Sequence, residues 1–153
     1  MPEVFYNAMI LREPYSGVEV TVHQTACALA EYGTLPLAVC LPEGHRPVPP
    51  APHVRLRVSR AFIKIRLLRI LWEQTVLPVL LRRARAPLLH APAYVAPLAT
   101  PCPLVLTVHD LHALTHPQFC RTSNRLNYSL MLPPSIRKAA AVIVFSDYVR
   151  RTV

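Results

Sequence analysis

The chain has 153 residues and a formal net charge of +9; 52% of the residues are hydrophobic and 16% are charged. This length provides one domain with a sizeable core and excludes a second full domain. The apolar content excludes a disordered proline-rich chain despite the 17 prolines, and no apolar run reaches the roughly 18 residues that cross a bilayer.

The termini and the cysteines predict a cellular compartment. Glu3 and Asn7 interrupt the basic and apolar regions of a signal peptide, so we expect a cytoplasmic protein. None of the four cysteines has C-x-x-C spacing, which is typical of reduced, buried thiols rather than of disulfides or a zinc site. The sequence stops at Val153 within a predicted helix, and we therefore expect it to be incomplete.

The beginning of the chain predicts a strand, a tight turn and a helix. Residues 4–10 form the strand, and Ser16 with Glu19 has the spacing of a capping box, which marks the start of a helix. Apolar residues recur at helical spacing up to Tyr32, and we expect Gly33 to end the helix in a left-handed conformation.

The middle of the chain predicts two strands and a long helix. Residues 35–41 form a second short apolar strand, and residues 54–58 alternate apolar side chains with arginine, as a strand exposed on one face does. Residues 62–85 follow as a helix, with a break expected near Pro78.

The last part predicts strands at residues 87–91, 104–108 and 141–145. Residues 121–140 have a helical period, which Pro133 and Pro134 are expected to bend or split, and Ser146 can cap a final helix from Asp147. The alternation of strands with helices predicts an open, doubly wound α/β fold with a mostly parallel sheet.

A titratable pair follows the most apolar predicted strand. His109 and Asp110 come directly after the aliphatic run of residues 104–108, and ligands of open α/β sheets bind outside the carboxyl ends of the strands. His109 is either a strand-end histidine bonded to a loop carbonyl or a functional imidazole. The second interpretation gains weight from Asp110, because a carboxylate can orient an imidazole or accept from a substrate hydroxyl.

The start of the first predicted helix suits an anion. Ser16 and Gly17 precede free helix N–H groups, which favour a group such as phosphate, although capping alone also explains both residues. The sequence contains neither G-x-G-x-x-G nor G-x-x-x-x-G-K. A dehydrogenase-like cofactor domain and a P-loop are therefore disfavoured.

A metal site is not expected. His109, His112, His116 and Cys120 have short spacings, but the chain contains no H-E-x-x-H motif and no second cysteine pair. We expect no metal and no cofactor.

Positive charge is concentrated in residues 55–85, where nine basic residues face Glu73 alone, a local net charge of +8. Nucleic acid is disfavoured because Trp72 is the single aromatic residue beyond Phe62 in this segment. An anionic membrane surface and a core helix with solvated arginines both remain open.

Five segments together carry a family resemblance. They are SGVEV, LLHAPAYVAPL, VLTVHDLHALTHPQF, NRLNYSLMLPPSIRKA and AVIVFSDYVRRTV, in that order. Their order and spacing resemble the amino-terminal domain of family 4 glycosyltransferases. The resemblance implies a GT-B architecture, in which two Rossmann-like domains face each other across a cleft. It also implies transfer of a hexosyl group from a nucleotide sugar to an acceptor hydroxyl, with retention of configuration.

The resemblance also implies roles for individual residues. Ser16, Gly17 and Val18 would form the loop that faces the donor phosphates. His109 and Asp110 would lie at the sugar-transfer centre. The acceptor side of the cleft would be lined by His90, Tyr94 and Ser146.

The family's carboxy-terminal donor-binding domain has no counterpart in residues 1–153. The resemblance therefore implies an amino-terminal, acceptor-side domain that is inactive alone, with a glycan, lipid or small-molecule acceptor. The alternative is a non-catalytic remnant, or a membrane-docking module at the inner membrane face that acts with a separate donor-binding subunit.

Overall fold

In the part of the chain that the structure describes, six strands form one sheet, and every pair of neighbouring strands is parallel. The structure, a computed structural model, describes residues 1–59, 65–111 and 122–153, with the backbone alone for residues 122–127. The strands are β1 (Val4–Asn7), β2 (Leu37–Pro42), β3 (Val54–Ser59), β4 (Leu89–Ala91), β5 (Leu104–Val108) and β6 (Ala141–Val144). The helices are α1 (Gly17–Tyr32), α2 (Arg66–Arg83), α3 (Thr122–Lys138) and α4 (Asp147–Thr152).

Helices cover both faces of the sheet, which confirms the predicted doubly wound α/β fold. On one face, Val22 and Ala26 of α1 pack against Tyr6, Val39 and Leu41. On the other face, α2 and α3 are joined to the sheet through a larger apolar cluster. That cluster includes Phe5, Leu77, Leu81, Leu104, Leu106 and Leu132. The central strands are apolar on both faces because both faces are buried.

The strand order is β3-β2-β1-β4-β5-β6, so the direction of winding reverses between β1 and β4. This is the Rossmann-like order, and a crevice opens at such a reversal outside the carboxyl ends of the strands. Asn7 ends β1 and Ala91 ends β4. The loops that follow these two residues therefore border the crevice.

Gly33 ends α1 for a reason that differs from the predicted one. Its φ is −75°, so the left-handed conformation expected from the sequence is wrong. A Cβ atom built on Gly33 would lie 2.3 Å from the carbonyl oxygen of Leu29, and the Gly33 N–H donates to that oxygen at 3.1 Å. Glycine is required here by close packing of backbone, not by backbone dihedral angles.

The prolines do not interrupt the helices. Helix α2 continues through Pro78, so the expected break is wrong, and α3 is not split at Pro133 and Pro134. Directly after these prolines, the Ser135 hydroxyl donates to the Met131 carbonyl at 2.7 Å and accepts from the Ala96 N–H at 3.2 Å. Contacts with the loop after β4 thus hold α3 at the point where the two prolines lack the N–H groups that donate hydrogen bonds within a helix. The predicted helix residues 62–64 lie outside the described residues.

Candidate active site

Three predicted site residues meet at the carboxyl edge of the sheet. The phenolic hydroxyl of Tyr94 donates to Asp110 Oδ2 at 2.6 Å, and His109 Nε2 lies 2.8 Å from the carbonyl oxygen of Pro92. The backbone N–H of Tyr94 donates to the carbonyl oxygen of Thr107 at 3.0 Å. The loop after β4 is therefore fixed against the end of β5, and its tyrosine reaches the carboxylate directly.

The backbone at Tyr94 is in an unusual conformation. Its φ is +64°, and the N–H of Val95 donates to the carbonyl oxygen of Ala93 at 2.7 Å, which closes a three-residue turn around Tyr94. Such turns are rare for residues with side chains and cost free energy. Observed backbone strain of this kind concentrates at functional sites.

His109 is held by a carbonyl and by two aromatic rings. A carbonyl oxygen only accepts, so Nε2 carries the proton and Nδ1 is left as an acceptor in the neutral ring. The ring centroid lies 5.3 Å from that of Tyr94 and 5.0 Å from that of Phe145, which follows β6. Of the two interpretations of His109 that the sequence left open, a strand-end histidine bonded to a loop carbonyl or a functional imidazole, the structure shows the bond to a loop carbonyl.

A second group of polar residues lies at the winding reversal. Asn7 Nδ2 donates to Glu73 Oε1 at 3.1 Å, and Arg69 Nη1 is 3.6 Å from the same oxygen. Glu73 is only 8% exposed, and burial raises the pKa of its carboxyl against the lowering effects of Arg69 and Asn7. Together with Pro92 and Tyr128, these residues line a cavity of about 20 Å³.

This second group was not predicted from the sequence. Arg69 and Glu73 meet through their i,i+4 spacing within α2, whereas Asn7 of β1 and Tyr128 of α3 are brought to them by the topology. The sequence offered two signals: Glu73 is the single acidic residue in a strongly basic segment, and it follows Arg69 by four residues. If such a residue is buried, it needs a specific partner, because burying an unpaired carboxylate costs free energy.

The loop predicted to face phosphate lies at the start of α1. The Ser16 N–H donates to Glu19 Oε2 at 3.2 Å, and the Ser16 hydroxyl also contacts that oxygen. A Cβ atom built on Gly17 would meet nothing within 4 Å, whereas Val18 packs against the core. The predicted capping box is present, and open space lies beside Gly17.

His90 and Ser146 are not part of the cluster of Tyr94, His109 and Asp110. His90 Nε2 is 2.8 Å from the hydroxyl of Thr107, and its ring meets the ring of Tyr6 edge-on at 5.1 Å. With Val4, Leu37 and Leu88, His90 lines a groove on the α1 face. Ser146 Oγ accepts from the N–H of Val149 at 3.2 Å, which confirms its predicted capping of the last helix.

Comparison with known proteins identifies the family. The family model described as Glycosyltransferase Family 4 matches residues 15–153. The chain belongs to glycosyltransferase family 4. No curated protein and no solved structure matches it significantly.

The match to glycosyltransferase family 4 includes every site residue predicted from the sequence, from Ser16 to Ser146. Asn7 lies before the matched range. The family and the parallel sheet agree with the fold of one half of a GT-B enzyme.

Within the described residues, this glycosyltransferase domain has no group of three or more His, Cys, Asp and Glu residues that could hold a metal ion. His112, His116 and Cys120 lie outside the described residues. Cys27, Cys40 and Cys102 are free thiols. None of the described helices is long and apolar enough to span a bilayer.

Proposed function

We propose that the chain forms the acceptor-side wall of the cleft of a retaining glycosyltransferase, which transfers a hexosyl group from a nucleotide sugar to an acceptor hydroxyl. The observation that carries the proposal is the meeting of Tyr94, His109 and Asp110 at the carboxyl edge of a family 4 domain. The donor-binding domain or subunit would provide the opposite wall.

The arrangement suggests how the wall acts. His109 Nδ1 would accept a hydrogen bond from a hydroxyl of the donor sugar, because Nε2 is bound to Pro92. Asp110, held by Tyr94, would orient a second hydroxyl. The N-terminus of α1 beside Gly17 would stabilise the departing phosphate without a metal ion.

The first test reads the coding DNA past the codon for Val153 and assays the encoded protein with a panel of nucleotide hexoses. We expect transfer with retained configuration, a loss of at least about 100-fold in His109→Ala, and negligible activity of the 153-residue chain alone. Tyr32→Phe, an exposed change at the far end of α1, is the matched control. Absence of transfer from any donor, or full activity in His109→Ala, would contradict the proposal.

A second candidate function is docking to an anionic membrane, and the outward face of α2 favours it. Leu67 is 64% exposed, Leu71 is 51% exposed, and Val79 is 45% exposed. Arg82 and Arg83 lie at the end of the same helix. Apolar residues beside arginines on one exposed helical face are typical of helices that lie in a membrane interface.

Sedimentation with phosphatidylglycerol vesicles tests this function. We expect salt-sensitive binding that falls at least about tenfold in the Leu67→Ser, Leu71→Ser double variant, since these side chains would enter the interface. Leu35→Ser, an equally exposed leucine before β2, is the control. No binding at low salt would exclude docking through α2.

A further inference from the structure

A groove of about 450 Å³ opens at the amino edge of the sheet, where the parallel strands begin. Its lining includes Glu3, which precedes β1, Arg55 and Arg57 of β3, and Ala84 at the end of α2. The basic segment of residues 55–85 therefore starts and ends at this groove. The candidate active site lies at the opposite, carboxyl edge of the sheet.

Two arginines of the groove share one carboxylate. Arg57 Nη2 donates to Glu3 Oε2 at 3.1 Å, and Arg55 Nε lies 3.3 Å from Glu3 Oε1. A guanidinium has five N–H donors, and neither arginine has a further hydrogen-bond acceptor among the described residues. The three side chains together keep a net charge of +1 and several N–H donors without an acceptor.

Arg57 is held in place by the protein, yet its hydrogen bonds are incomplete. Its guanidinium carbon lies 5.1 Å from the ring centroid of Phe5, and its side chain is 31% exposed. Its Nε is buried and has no hydrogen-bond partner in the part of the chain that the structure describes. Such groups are rare in native proteins, and a bound ion or water is a usual reason for one.

Further positive charge stands beside the groove at the end of α2. Arg82, Arg83 and Arg85 surround Ala84 in the sequence, and all three are exposed. None of them forms an ion pair with another described residue. Of the described residues that line the groove, Glu3 alone is acidic. The groove is therefore suited to an anion.

We propose that this groove binds a phosphate group, that of an anionic lipid headgroup. Guanidinium groups present paired, planar donors that match phosphate oxygens, and Arg55 and Arg57 keep such donors available. The assignment to a lipid rests on the proposed docking of α2 to a membrane. A helix that lies in the membrane interface brings its end to the level of the headgroups, and α2 ends at the groove.

Sedimentation with phosphatidylglycerol vesicles tests the groove through Arg55, whose side chain is 68% exposed. We expect binding to weaken at least about fivefold in Arg55→Gln. Arg137→Gln removes the same charge from an exposed position in the last turn of α3 and should leave binding within about twofold. Equal weakening in the two variants would show attraction by net charge alone and would overturn the inference.

A second variant predicts a gain of binding. Glu3→Gln removes the charge that competes with phosphate for both arginines, so we expect vesicle binding to strengthen at least about threefold. Glu43→Gln removes the same charge from an exposed position after β2 and is the matched control. An ion pair that only supports the fold would give no gain beyond that of the control, and this result would contradict the proposal.

Glycerol phosphate, followed by calorimetry, separates a lipid headgroup from a soluble phosphate. Vesicle binding that is lost in Arg55→Gln supports the headgroup. Saturable binding of glycerol phosphate without any vesicle binding refutes both the headgroup and the docking function. If vesicle binding depends on Leu67 and Leu71 but not on Arg55, the docking function stands and the inference fails.

Discussion

Tyr94 donates a 2.6 Å hydrogen bond from its hydroxyl to Asp110 Oδ2 while its own backbone is held in a left-handed conformation. Burial is the main cause that raises the pKa of this tyrosine, followed by the bond to Asp110 and the charge of that carboxylate. Tyr94 therefore remains protonated over the physiological range and acts as a permanent donor. The turn at Tyr94 and the hydrogen bond from its hydroxyl together hold the carboxylate of Asp110 at the carboxyl edge of the sheet.

Tyr94→Phe removes this donor and keeps the ring. We expect the free energy of unfolding to fall by about 1.5–3 kcal/mol, since one hydrogen bond to a carboxylate is lost. Sugar transfer should fall by at least about tenfold because Asp110 is no longer held in one orientation. Steady-state kinetics and urea unfolding measure the two effects. Tyr32→Phe should change neither, and equal activity in both variants would contradict a role for the bond.

Gly17→Ala and Gly33→Ala form a matched pair within α1. The Cβ at Gly33 would overlap the Leu29 carbonyl, so we expect a loss of about 1–3 kcal/mol in stability. The Cβ at Gly17 meets no protein atom, so stability should not fall. If donor phosphates approach this backbone, nucleotide-sugar affinity should fall at least about tenfold in Gly17→Ala. Unchanged affinity would remove Gly17 from the donor site.

We expect His90 to make the stability of the domain depend on pH. Burial lowers its pKa from 6.5 to about 4, so the unfolded chain binds more protons between these values. The free energy of unfolding is therefore highest above pH 6.5 and decreases as the pH falls toward 4. At pH 5 the decrease due to His90 is about 2 kcal/mol. Urea unfolding at pH 7.5 and pH 5 measures it.

His90→Gln should remove most of that pH dependence. Glu73 has a raised pKa and acts with the opposite sign, but it is present in both proteins, so their difference isolates His90. An identical pH profile in the variant would show that His90 does not cause the effect.

Ser146 can be tested as a helix cap separately from the cleft. Ser146→Ala should cost about 1 kcal/mol because the N–H of Val149 loses its acceptor. Ser146→Asp keeps a capping oxygen and should retain stability. If transfer falls in both variants while stability falls only in alanine, Ser146 also contacts substrate. If transfer follows stability alone, it is only a cap.

Local sequence signals predicted much of the fold. β5 has the predicted bounds of residues 104–108 because an unbroken aliphatic run is a strong signal for a buried strand. The capping box located the start of α1. Gly33 was misinterpreted because its role depends on the distance to Leu29, and Pro78 because contacts around α2 outweigh the cost of a proline.

From spacing alone, the candidate site was predicted only where its residues are close in sequence, and Tyr94 was added by the family resemblance. His109 and Asp110 adjoin a recognisable strand end, so they were found. Asn7 and Glu73 are 66 residues apart and meet through the strand order alone. His90 lies in a three-residue strand, which is too short for an alternating pattern to indicate the face on which the side chain lies.

The position of β1 in the sheet affects how the domain is assembled. β1 is the first strand in the chain, yet it lies at the centre of the sheet, between β2 and β4. During synthesis it can pair with β2 early, but its other edge stays open until Leu89–Ala91 has been made. Folding therefore depends on contacts between distant parts of the chain, which slows it. Until β4 is available, the unpaired edge of β1 can pair with a strand of another chain, which favours aggregation in that interval.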